Sequence, residues 1–170
     1  TDGLIHPTPL VPADAPKWTQ AADFDQLIAT RDGVYFCSWN GIVFWSFRSQ
    51  RNECFEIPRV SCAFKVGDRV FASAYGATLR TIDPETATLE PAQGGALDQQ
   101  VVVRATPLDG ERTLVAYGDG RLAVFNGRQT APWADWSSGY AKGRITVMQH
   151  LVDGRVAIAV NGLGLLLCSG

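Results

Sequence analysis

Hydrophobic and polar residues alternate in four stretches of the chain, which predicts β-strands that bury one face. In each stretch a turn made of Asp and Gly leads into an alternating strand, and a glycine-containing turn then leads into a second one. Such turns supply the positive φ angles that tight hairpins need. The four predicted hairpins pair residues 34–39 with 42–47, 69–75 with 77–82, 112–117 with 121–125, and 155–160 with 163–168.

The hairpins recur at a regular distance. Gly33, Arg69, Arg112 and Arg155 take equivalent positions, 36, 43 and 43 residues apart. Each repeat also has an upstream strand, and the first three have a downstream strand, so that one repeat holds four strands. This spacing and strand count predict propeller blades. The upstream strands are residues 26–30, 60–66, 101–106 and 144–152, and the downstream strands are residues 52–57, 86–89 and 129–133.

The fourth repeat has no downstream strand before Gly170, whereas residues 4–11 form a spare strand at the other end. We expect this N-terminal strand to complete the last blade, because closure removes an unpaired sheet edge. The alternative is a proline-rich tail over residues 1–16.

The predicted fold is therefore an all-β, single-domain small β-propeller of about four four-stranded blades, spanning residues 1–170. A β-sandwich and a half-propeller that pairs as a dimer are the alternatives, since a sandwich also has closely spaced strands.

Residues 153–165, DGRVAIAVNGLGL, resemble the propeller repeats of bacterial two-component sensor proteins, and the third repeat is similar. The resemblance implies a β-propeller and a sensor role within a larger bacterial signalling protein.

Composition narrows the class of partner. Net charge is −2, and the 15 Lys and Arg residues are scattered singly, so we expect no nucleic-acid binding. No apolar stretch approaches the ~18 residues that span a membrane, so we expect no membrane insertion. A periplasmic or secreted location is favoured over a cytoplasmic one.

Candidate chemistry is sparse. The two histidines are far apart in sequence, and no nucleophile motif, metal-binding cluster or phosphate-binding loop is present. We therefore predict no enzyme, no catalytic residue, no metal and no cofactor. The alternative is a hydrolase with its site at the central channel, which would need Asp23, Asp25 or His150 to converge there. The four cysteines leave Cys54–Cys62 and Cys37–Cys168 disulfides open.

Aromatic residues concentrate on one predicted rim of the disc, with the densest cluster over residues 133–140. Trp and Tyr in polar loops favour recognition, because their rings bury a large area and keep a polar group. The alternative for Trp133 and Trp136 is that they fold inward between blades. The predicted binding residues are Trp18, Trp39, Tyr75, Tyr117, Trp133, Asp135, Trp136, Tyr140 and Lys142.

The sequence thus predicts a non-enzymatic recognition module. The expected partner is another protein, with a small ligand or a second copy of the chain as further options. The module would be either a stand-alone inhibitor or immunity-type protein or the sensor domain of a bacterial signalling protein.

Overall fold

The computed structural model describes residues 11–93, 97, 100–133 and 143–169. These residues form four antiparallel sheets arranged as the blades of a four-bladed β-propeller, with one short helix, α1 (Lys17–Gln20), before the first sheet. The predicted all-β propeller of about four blades is confirmed. Within the described residues no helix is long and apolar enough to cross a membrane.

Each sheet is a meander whose first strand is the innermost one. Sheet 1 contains β1 (Phe24–Ala29), β2 (Gly33–Ser38), β3 (Gly41–Ser46) and β4 (Asn52–Glu56). Sheet 2 contains β5 (Val60–Val66), β6 (Arg69–Ala74), β7 (Arg80–Asp83) and β8 (Thr88–Pro91). Sheet 3 contains β9 (Val102–Pro107), β10 (Thr113–Tyr117), β11 (Leu122–Phe125) and β12 (Thr130–Pro132). Sheet 4 contains β13 (Ile145–His150), β14 (Val156–Val160) and β15 (Gly164–Cys168).

The described part of sheet 4 has three strands. Residues 4–10 of the spare strand expected at the N-terminus lie outside the described residues. Closure of the last blade by that strand therefore stays a prediction.

Alternation in the second strand of each sheet explains how the blades stack. In β14, Val156, Ile158 and Val160 are buried against sheet 3, while Ala157 and Ala159 on the other face are half-buried. In β6 both faces are buried, because sheet 2 has a neighbour on each side. The apolar core is accordingly divided into three clusters, between sheets 1 and 2, 2 and 3, and 3 and 4.

The disulfides left open by the sequence are not formed. Cys37, Cys54 and Cys62 are thiols. Cys54 lies on the outer strand of sheet 1 and Cys62 on the inner strand of sheet 2, so the width of a blade separates them.

Candidate functional site

One edge of the disc, here called the upper rim, carries the turns between the second and third strands and the connections that enter each inner strand. Trp39 follows β2 and Tyr75 follows β6, so both lie on this rim. Trp39 is 54% exposed and Tyr75 40% exposed, and their ring centroids are 5.8 Å apart. Two large aromatic side chains from neighbouring blades therefore form one exposed apolar surface.

The backbone fixes this pair in place. The Val60 amide donates to the Trp39 carbonyl at 3.0 Å, and the Tyr75 amide donates to the Arg59 carbonyl at 3.0 Å. The connection between sheets 1 and 2 thus holds both aromatic residues. Since the main chain is bonded on both sides, the rings are presented from an ordered edge.

Arg59 adds an exposed cation beside the aromatic pair. It adopts a left-handed backbone conformation, with φ of 60°. A Cβ atom at position 76 would lie 2.9 Å from Arg59 Nη2, so Gly76 leaves room for the guanidinium next to Tyr75. The rim aromatic cluster, defined as Trp39, Tyr75 and Arg59, combines the three residue types that dominate interface hot spots.

The other predicted binding residues within the described part are more enclosed. Trp18 is half-buried on α1, where its ring packs so closely on Gly41 that a side chain there would collide with it. Tyr117 is 7% exposed, and burial is the main reason that its pKa is raised. Trp133 is half-buried against the cluster between sheets 3 and 4. Asp135, Trp136, Tyr140 and Lys142 lie outside the described residues and stay predictions.

An open cavity of about 350 Å³, here called the channel, is lined by residues of all four inner strands. The pairing between the first and second strand is irregular near the upper rim in every sheet. Such irregularities redirect side chains. Three of the residues within them, Asp25, Ser61 and Thr146, line the channel.

Polar side chains in the channel join each blade to the next. The Ala63 amide donates to Gln26 Oε1 at 3.1 Å, and Ser61 Oγ donates to the Val102 carbonyl at 2.8 Å. Arg104 Nε donates to the Thr146 carbonyl at 2.6 Å, and its Nη1 donates to the Val103 carbonyl at 2.6 Å. Among the described residues these bonds use two of the five N–H groups of the Arg104 guanidinium, which lines the channel.

Two buried thiols in the channel wall, Cys37 and Cys62, are expected to be poor nucleophiles. Burial raises the pKa of both Cys37 and Cys62 to about 12. The thiolate is the nucleophilic form, and it is scarce at neutral pH when the pKa is this high. These cysteines therefore suit a structural role.

Of the three residues named in the hydrolase alternative, one lines the channel. Asp25 lines the channel, whereas the channel lining includes neither Asp23 nor His150. His150 is the last residue of β13, and its backbone amide donates a hydrogen bond to Thr106 Oγ1 at 3.1 Å. In the described ranges no group of three or more His, Cys, Asp or Glu side chains could hold a metal ion.

Several solved structures share this fold. The chain is similar to BamB from Moraxella catarrhalis, with 14% identity and a TM-score of 0.62 over 88% of this chain and 45% of that one. It is similar to the extracellular domain of BT4673 from B. thetaiotaomicron, with 11% identity and a TM-score of 0.61 over 85% and 20% of the two chains. It is also similar to the computationally designed Ika4 protein, with 13% identity and a TM-score of 0.63 over 97% and 100%.

These likenesses concern the fold alone. The chain spans less than half of the BamB chain and about a fifth of the BT4673 chain. No protein-family model and no curated protein gave a match to the sequence. The fold defines the class of the molecule as a β-propeller.

Proposed function

We propose that this chain is a non-enzymatic recognition module that binds a protein partner through the upper rim. The observation that carries the proposal is the exposed Trp39–Tyr75 pair, with ring centroids 5.8 Å apart. Each such ring removes a large apolar area from water when a partner covers it, and its polar group still bonds at the edge. Arg59 supplies a cation at the border of this apolar surface.

Rigidity favours binding by these residues. Aromatic side chains have few rotatable bonds, so little conformational entropy is lost when they are covered. The hydrogen bonds from Val60 to Trp39 and from Tyr75 to Arg59 hold the main chain of both aromatic residues in place before binding. Binding energy is therefore concentrated on a few preformed residues, as in other interfaces with hot spots.

The structural likenesses support the coarser statement that this is a protein-interaction or sensor module. BT4673, whose extracellular domain has the same fold, is assigned to a hybrid two-component system. That likeness favours the sensor context predicted from the sequence. The inhibitor and immunity-type contexts rest on the sequence alone.

The test is capture of the partner from an extract of the source organism. The immobilised parent is compared with a Trp39→Ala, Tyr75→Ala double variant and with a Phe47→Ala control. Phe47 is 54% exposed, as Trp39 is, but it lies in a turn on the opposite edge of the disc. We expect one protein to be captured by the parent and by the control and to be lost with the double variant. Equal capture by all three would contradict the proposed surface.

A further inference from the structure

Among the described residues, sheets 1 and 4 each have one face that packs against no other sheet. Three apolar clusters join the four sheets, and within the described residues none of these clusters joins sheet 4 to sheet 1. The exposed large apolar side chains on these two faces are Leu27 on sheet 1 and Val147, Leu165 and Leu167 on sheet 4. The two faces are here called the free faces.

The free face of sheet 4 follows from its strand pairing. Val147 pairs with Ala159, which pairs with Leu165, so that these three form one row across the sheet. Leu167 belongs to the next row, opposite Ala157. Leu165 and Leu167 are 69% and 54% exposed, and Val147, which also lines the channel between the inner strands, is 56% exposed. Neighbouring exposed apolar side chains on a folded chain are typical of interaction sites.

The free face of sheet 1 is also apolar, but most of it is only partly exposed. Leu27 pairs with Phe36, and Phe36 pairs with Val43, which gives an apolar row across three strands. Leu27 is 64% exposed and Phe36 is partly exposed, whereas Val43 at the other end of the row is fully buried. In the neighbouring row Val34 pairs with Trp45, and both are partly exposed.

The repeat makes these two faces complementary. Ala157 and Ala159 take the repeat positions of Phe71 and Ser73, on the face by which sheet 2 packs against sheet 3. In the same way, Phe36 of sheet 1 takes the repeat position of Ala72 of sheet 2, which packs against the preceding sheet. The free face of sheet 4 is thus equivalent to a face that packs against the following blade. The free face of sheet 1 is equivalent to a face that packs against the preceding blade.

We propose that two copies of this chain assemble around a two-fold axis, sheet 4 of each packing on sheet 1 of the other, to close a ring of eight blades. Each copy supplies one face of each kind, so the dimer covers all four free faces. No free face is then left to which further copies could add. The likeness to BamB fits this geometry, because four blades match 45% of that chain and two copies would match about nine tenths of it. This proposal is independent of the upper-rim function.

The first test is the mass of the 170-residue chain in solution, measured by light scattering after size exclusion over a range of micromolar concentrations. We expect twice the 18.4 kDa of the chain. A Leu165→Asp, Leu167→Asp variant should return to 18.4 kDa, because it places charges in both interfaces. A Val152→Asp control should remain dimeric, since Val152 is fully exposed in a turn outside both free faces.

A mixing experiment tests the head-to-tail arrangement and excludes simple misfolding. A Leu27→Asp variant damages only the sheet 1 face, and the Leu165→Asp, Leu167→Asp variant damages only the sheet 4 face. Each homodimer then has two damaged interfaces, whereas a heterodimer keeps one interface unaltered. We expect each variant alone to be monomeric with a native circular dichroism spectrum, and the mixture to regain a dimer fraction. A monomeric parent, a dimeric Leu165→Asp, Leu167→Asp variant or a mixture without dimer would overturn the proposal.

Discussion

Position within the repeat decides which aromatic residues reach the surface. Trp39 and Tyr75 take the same repeat position, immediately after the second strand of sheets 1 and 2, and both are exposed. Tyr117 takes the position before it, which Ser38 and Ala74 occupy in the other blades, and that position faces the core. The two-residue alternation of a strand predicts this difference between buried and exposed aromatic residues. A prediction that considers only the rim on which an aromatic residue lies does not use it.

Arg59 could not be chosen from the sequence. Its position at the rim depends on a left-handed backbone conformation and on the space above Gly76. Both arise only when sheets 1 and 2 come together. Trp39 and Tyr75 could therefore be predicted from strand alternation in the sequence. Arg59 could not, because its position depends on contact between blades.

At the residue scale we predict that stability falls at alkaline pH. Burial raises the pKa of Cys37 from 9.0 to about 12, so the unfolded thiol ionises at a pH where the folded one is still protonated. The stabilising contribution is complete below pH 9 and is lost as the pH rises towards 12. Urea unfolding across this range should show a falling free energy, with a shallower fall in a Cys37→Ala variant. The same slope in both proteins would contradict this account of the thiol.

At the scale of the elements, alternation predicted the strands well because one or both faces of every sheet are buried. It predicted a strand from residue 77, whereas β7 begins at Arg80. Gly76 has φ of 77°, and the Ala77 amide donates to the Ala74 carbonyl, so the chain turns before it becomes extended. Helix α1 was missed because four residues are too few to show a helical period.

The interface between sheets 2 and 3 should be the most sensitive to truncation. Phe71 is fully buried, and its ring lies 5.6 Å from that of Phe64 and 5.3 Å from that of Phe125. We expect Phe71→Ala to lower the free energy of unfolding by about 3–5 kcal/mol, because it leaves a cavity between two blades. Phe47→Ala, at a residue 54% exposed, should change it by at most ~0.5 kcal/mol. Urea unfolding of both variants measures the difference, and similar losses would show that this cluster does not hold the blades together.

At the scale of the whole molecule, the repeat predicted the number of blades, but it could not show which blade faces are covered. The outer faces of the first and last repeats also carry apolar residues, since Leu27 and Leu165 continue the alternation of the buried residues. Whether these faces contact water or another sheet depends on assembly, which the repeat pattern alone does not show. The free faces therefore emerge only from the burial of individual side chains.

The upper rim and the free faces lie on different parts of each blade. The rim aromatic cluster is at the turns between strands, while the free faces are the broad surfaces of sheets 1 and 4. Closure of an eight-bladed ring would leave the rim cluster exposed and would present it twice. Two copies of one binding surface on a rigid ring would raise the apparent affinity for a partner that has two matching sites.

The most direct test of the proposed function is the affinity of the captured partner for the parent and for a Trp39→Ala variant, measured by calorimetry. A hot-spot tryptophan contributes at least ~2 kcal/mol, which corresponds to an increase in Kd of roughly 30-fold. We expect an increase of that size for Trp39→Ala and an unchanged Kd for the equally exposed Phe47→Ala control. An unchanged Kd for Trp39→Ala would contradict recognition through the rim aromatic cluster.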